Sequence, residues 1–295
     1  MTAFWQAGVY GLLQGGLLAM IAVGFSLVWG VMNVINLSHG AYVLLGAYAA
    51  WGLHAAWGWD PLLGAVAGGA AMFVLGYLVQ RLLVNQIANA PIFLTLLLTF
   101  GLQLVLVQGM AVLFSADYRS IATSYASESF GIGDVRVPYG RLVAFGVAVV
   151  ATAALVLFAR RGRTGIAILA TGMDRTAARL MGINTRHVYA LTAGIAAALA
   201  GAAGAMVGLV GTFSPPDAAR FTLFSFVVAV LGGLGNMYGA LLGGLVLGVV
   251  QALAGQYLPG TWVNAVAFAV LVGVLIVRPA GLAGRAFYEA RVEPA

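Results

Sequence analysis

The 295-residue sequence contains no cysteine, which excludes both a disulfide framework and a thiolate metal site. Lysine is absent too, and all fourteen basic residues are arginine. Acids number only eight, and charged residues make up 7% of the chain, against roughly 25% in a soluble globular domain. Residues 1–59 carry no Asp, Glu, Lys or Arg, which excludes a water-facing domain over that length. The opening MTAFWQAG has no basic segment ahead of its apolar run, so that run is expected to be a retained helix and not a cleavable signal. The eight prolines (61, 91, 138, 215, 216, 259, 279 and 294) all fall between apolar runs. That confinement is expected of helices that must satisfy their own backbones in lipid.

What is present is apolar. Hydrophobic residues make up 62% of the chain and mean hydropathy is +1.02. The runs lie near 8–31, 38–57, 62–84, 92–114, 141–159, 188–211, 221–235, 238–256 and 260–278. Most approach the roughly 20 residues a bilayer demands, whereas 221–235 is too short to cross alone. The expectation is an all-α polytopic transmembrane bundle of about 8–10 helices, with short broken or re-entrant segments, forming one domain over 1–295. Glycine pairs such as Gly204/Gly208, Gly235/Gly239 and Gly244/Gly248 read as close helix packing.

Arginine sets the orientation. Six arginines lie in 160–187 with a single acid, Asp174, a net +5 of the chain's +6. That loop and the tail carrying Arg278, Arg285 and Arg291 are expected in the cytoplasm. The polar, charge-balanced segment 115–140 is then outside, with GIGDVRVP as a turn or hairpin, and counting back places the N-terminus outside as well. The basic balance needs no nucleic-acid partner, because orientation accounts for it.

Two segments read as interrupted helices lining a pathway: NVINLSHG (33–40), with Asn36, Ser38 and His39, and VLGGLGNMYGALLGG (230–244), with Asn236. An inverted or duplicated repeat is left open. Thr95, Thr99 and Gln103 recur every four residues on one helical face. They either line the pathway or bond carbonyls and neighbouring helices. His39 reads as a hydrogen-bonded structural residue, since every acid reads as lying in a loop or tail.

The runs GFSLVWGVMNVINLSHGAYVLLGAY (24–48), RTGIAILATGMDRTAARLMGIN (163–184), ALAGAAGAMVG (198–208) and VLGGLGNMYGALLGGLVLG (230–248) resemble the permease subunits of branched-chain amino-acid ATP-binding-cassette importers, the LivH/LivM family and its LivH side. The resemblance implies a bacterial inner-membrane importer. Its partners would be a second homologous permease, two cytoplasmic ATPases and a periplasmic substrate-binding protein. This subunit would then be no enzyme and would hold no cofactor.

In the arginine-rich loop, Asp174 can cap and Gly182 can end a short helix at 175–181, with Ala177, Leu180 and Met181 on one face and Arg175 and Arg179 on another. Such a helix suits a groove on a soluble partner, or alternatively lipid headgroups. The resemblance assigns Gly165, Asp174, Ala177, Ala178, Leu180, Met181 and Gly182 to ATPase coupling. Leu169 and Met173 depart from a basic and an acidic residue usual in the family.

Three rival functions compete with this reading. An intramembrane aspartyl protease would use Asp134 of Gly131-Ile132-Gly133-Asp134, but no second aspartate lies in any run. A serine intramembrane protease would need Ser26 or Ser38 paired with His39. A secondary transporter or channel for a small neutral solute is the serious alternative, against which stands the expected lack of a charge at the midplane. No residue distinguishes leucine-like amino acids from urea, amides or other small solutes.

Overall fold

A computed structural model describes residues 2–87, 91–133 and 135–284. Asp134, Arg285 and Arg291, singled out above, lie outside them. The helices are α1 (Thr2–Met32), α2 (His39–Trp57), α3 (Pro61–Leu82), α4 (Ile92–Phe114), α5 (Ser124–Ser127), α6 (Tyr139–Arg161), α7 (Arg163–Met173), α8 (Arg175–Leu180), α9 (Thr185–Val210), α10 (Ala218–Gly232), α11 (Met237–Tyr257) and α12 (Gly260–Val277). The expected hairpin forms from β1 (Ser129–Ile132) and β2 (Val135–Pro138), paired Ser129 with Pro138 through Ile132 with Val135. Among the described residues, seven helices are long and apolar enough to cross a membrane, and α10, at 15 residues, is not one of them.

Proline and polar caps set the boundaries. Asp60 accepts from the Leu62 N–H ahead of Pro61 at the start of α3, and Pro91, Pro138 and Pro259 immediately precede α4, α6 and α12. Asn33 ends α1 at φ 53°, a left-handed conformation that asparagine tolerates better than most residues.

Helices α1 and α9 form the centre. α1 packs antiparallel on α11 through Gly11 and Gly15 against Gly244 and Gly248, and α9 packs on α2 through Gly201 and Gly204. A methyl group on Gly204 would run into the Val43 carbonyl, as the glycine spacing foretold, and one on Gly46 would run into Gly201, a contact that spacing did not show.

Two cross-links fix depth along α1. Tyr10 lies under Arg141 near the hairpin end of α6, with Gln6 bonded to the Arg136 backbone. At the other end, Gly30 packs against Gly172 and Gly235, beside Arg160 stacked on Tyr238. From Arg141 to Arg160 is about 28 Å at 1.5 Å per residue, one hydrocarbon thickness. Ile21 therefore sits close to the midplane. The N-terminal end of α1 shares a face with the hairpin, opposite the arginine-rich loop.

After Met32 the chain does not start a new helix at the surface. Residues 33–38 climb back beside α1, and α2 begins with the His39 ring against the Ile21 carbonyl, at mid-depth. The second interruption differs from expectation. Residues 233–236 form a tight turn joining α10 to α11, with Gly233 and Gly235 at positive φ, and not a break inside one helix. The true counterpart is 211–217. Phe213 pairs with Arg119 in the segment 115–140 and rests on Tyr48, and the chain then descends to start α10, where Ala218 and Thr222 abut Gly40. α2 runs from the midplane toward the hairpin face and α10 toward the arginine-rich face, so the two broken helices are inverted relative to one another.

Candidate functional site

The two breaks meet, and two threonines close them. Thr99 Oγ1 of α4 accepts from the Leu37 N–H at 3.2 Å and lies 3.1 Å from both the Ile35 and Leu96 carbonyl oxygens, to which it can donate. Thr222 Oγ1 of α10 donates to the Leu37 carbonyl and accepts from the Gly40 N–H, both at 2.9 Å. Asn36 Oδ1 takes the Ser38 N–H at 3.1 Å and the Ser38 hydroxyl at 2.6 Å. Unwound backbone at membrane depth is thus satisfied by side chains from three elements.

The predicted stripe on α4 faces the protein: Thr95 and Thr99 are buried and Gln103 is half-buried. Thr95 donates to its own helix at Ile92, 2.8 Å away. Asn36, Ser38 and Thr99 line one small crevice together with Tyr42 and Gln80. Gln80 is absent from the sequence-based candidates, because a lone glutamine near a helix end reads as an interfacial residue. His39 is buried and its Nε2, 2.9 Å from the Ile21 carbonyl, must donate, while its ring packs edge-on to Phe25. With Ser38 bonded to Asn36 and His39 to Ile21, no nucleophile–base pair exists between them. Asn236 is not brought to this site. It caps α11, accepting from Tyr238 and Gly239, and donates to Ala283 at the arginine-rich end.

One correction concerns charge. Asp217 lies in the connection between α9 and α10, as read, but at the foot of the second break, where its Oδ2 accepts from the Ser214 N–H and hydroxyl at 2.9 Å each. Its Oδ1 lies 3.9 Å from Arg220 Nε, the one ion pair among the described residues. Ala218 and Thr222 on either side of Arg220 abut Gly40, so the pair lies within the span, on the hairpin side of the first break, and the expectation that every charge stays outside the spans does not hold. Pro215-Pro216-Asp217 reads as a surface turn. Only the shortness of the run after it hinted otherwise.

The arginine-rich loop folds as two helices. Asp174 Oδ1 accepts from Thr176 N–H (2.7 Å) and Ala177 N–H (2.9 Å), and Gly182 takes φ 81°, as read from sequence. Arg175 stacks over Tyr189 at 5.2 Å and Arg179 Nε donates to Thr185 at 3.0 Å, which pins α8 to α9. The apolar face is outward: Leu180 is 84% exposed, Met181 82%, and Ala177 is exposed beside them. Met173, 79% exposed, extends the same surface with an apolar side chain, and Leu169 is half-buried. Ala178 differs from expectation. It is only 4% exposed and turns toward the protein, since successive residues on a helix point about 100° apart. Gly165 is also inward, where a methyl would strike Phe158 and Ala159 of α6.

A family model described as branched-chain amino acid transport system / permease component matches residues 8–275. The chain belongs to this permease family. It is 31% identical over 295 residues to the high-affinity branched-chain amino acid transport system permease protein BraD of Pseudomonas aeruginosa, covering 96% of each chain. The corresponding protein LivH of Escherichia coli is 31% identical over 296 residues, again 96% of each. A probable LivH of Methanocaldococcus jannaschii is 24% identical over 92% of this chain and 90% of its own. No solved structure matches. The permease is a multi-pass protein of the bacterial inner membrane, and its relatives are transport subunits, not enzymes.

Proposed function

We propose that the permease is the membrane subunit of an ATP-binding-cassette importer for branched-chain amino acids or similar small polar solutes. It pairs with a second homologous permease. Two cytoplasmic ATPases, which perform all nucleotide hydrolysis, dock on the arginine-rich loop, and a periplasmic binding protein delivers solute to the face carrying 115–140. The observation that carries this reading is the outward apolar surface of Met173, Ala177, Leu180 and Met181 on a helix capped by Asp174 and pinned to α9. A small rigid helix with an uncovered apolar face suits a groove on a soluble partner. Loop motion would reach the first break, since Gly172 of α7 packs on Gly30 of α1, just before it.

The test is co-purification. Ala177→Glu places a charge on the docking face without touching the fold, so the variant should insert normally and lose its ATPases. Recovery of both ATPases at wild-type ratio would reject docking through α8.

A further inference from the structure

Arg220 is 53% exposed by its side chain, and its partner Asp217 18%. They flank Ala218, which with Thr222 abuts Gly40 at the start of α2, so the pair lies within the span, between the first break and the hairpin face. An arginine exposed to lipid there would be strongly unfavourable, and intramembrane charges characteristically face a water-filled cavity. The exposed residues around it, Pro216, Ala219 and Leu223, mark one face at the start of α10, while Thr222 on the other side holds the first break.

The ion pair is loose. Arg220 meets Asp217 only through Nε, at 3.9 Å, so the two terminal nitrogens of its guanidinium keep their forked donor geometry. Asp217 keeps Oδ1 available, because Ser214 occupies Oδ2. The geometry points to Arg220 and Asp217 as a binding site within the span for a zwitterionic solute, the guanidinium taking its carboxylate and Asp217 Oδ1 its ammonium group. A carboxylate suits a guanidinium fork, and the N-terminal end of the 15-residue α10 adds positive potential. A loose pair also releases its arginine readily and receives it back once the solute moves on, as transit demands. This inference rests on the reading of the chain as an amino-acid importer.

The absence of cysteine permits a direct test. In Leu223→Cys, an anionic methanethiosulfonate should react at least five-fold faster than a cationic one, and adding Arg220→Gln should abolish that preference. The reactivity is read on the full-length permease in nanodiscs, without its partners. In proteoliposomes holding the assembled importer, Arg220→Gln should lower leucine uptake at least ten-fold at unchanged subunit ratio, with Arg220→Lys intermediate. A Leu223→Cys thiol unreactive to both reagents, or leucine uptake by Arg220→Gln at the wild-type rate, would overturn the site. Loss of the ATPases from the wild-type preparation would instead count against ATP-driven import, leaving the thiol result standing.

Discussion

The first break, 33–38, and the loop 162–184 are both polar interruptions between apolar helices, and they reach opposite ends. In the break, Thr99, Thr222 and Asn36 take up the freed backbone groups inside the fold. In the loop, Asp174 completes the local hydrogen bonds but the apolar side of α8 is left uncovered. Where water is excluded, each polar group must find a partner within the chain or face a large desolvation cost. Where water is present, the uncovered surface is apolar, and it is a second protein that can cover it. The break is therefore a self-sufficient joint inside the bundle, and the loop keeps an apolar face uncovered.

The harshest way to break this comparison is Gly40→Val. The added carbons would run into the Ala218 carbonyl and Thr222, so the junction of the two breaks must open. A loss of about 3 kcal/mol is expected, read as a lower thermal midpoint in detergent. An unchanged midpoint would show that the junction is not tightly packed.

Thr222→Val keeps the shape and removes the hydroxyl, leaving the Leu37 carbonyl and Gly40 N–H unpaired at mid-depth. It should destabilise by about 1–3 kcal/mol. Thr99→Val should do the same at Ile35 and Leu37, and each variant should slow uptake in proteoliposomes. Stability equal to wild type in both would mean the break does not depend on its threonine clamps.

A paired substitution sharpens the loop side. Ala178→Glu buries a carboxylate and should cost about 1–3 kcal/mol, whereas exposed Ala177→Glu should stay within about 0.5 kcal/mol while losing the ATPases. If the two behaved alike in thermal unfolding, α8 would be rotated from the orientation described.

The smallest perturbation tests sidedness. Single cysteines at exposed Glu128 and Thr176 should leave stability unchanged, and only the first should react with an impermeant maleimide in intact bacteria made permeable at the outer membrane. The reverse pattern would invert the topology.

Much of the candidate site was legible because it depends on local geometry. The Asp174 cap, the Gly182 end and the Ala177/Leu180/Met181 face follow from spacing on one helix. The 95/99/103 stripe was likewise legible as a face, though not what it faces. Thr222 gave no signal, because a threonine among apolar residues acquires its role only from the carbonyl and N–H that another segment presents. The second break was placed at 230–244 for its glycines and asparagine, but those residues supply a turn whose Gly232 and Gly239 meet backbone to backbone.

By itself the sequence determined that the chain is a membrane protein, roughly where its long apolar helices lie, and which loop carries the arginines. These depend on hydropathy, proline and net charge, all additive along the chain. The tertiary structure alone decided that 211–217 descends into the bundle, that Asp217 and Arg220 stand at the start of a helix inside the span, and that Ala178 is inside while Ala177 is out. Depth and facing are set by contacts between helices far apart in sequence, here Gly40 on α10 and Ile21 beneath His39, and no local pattern encodes those distances.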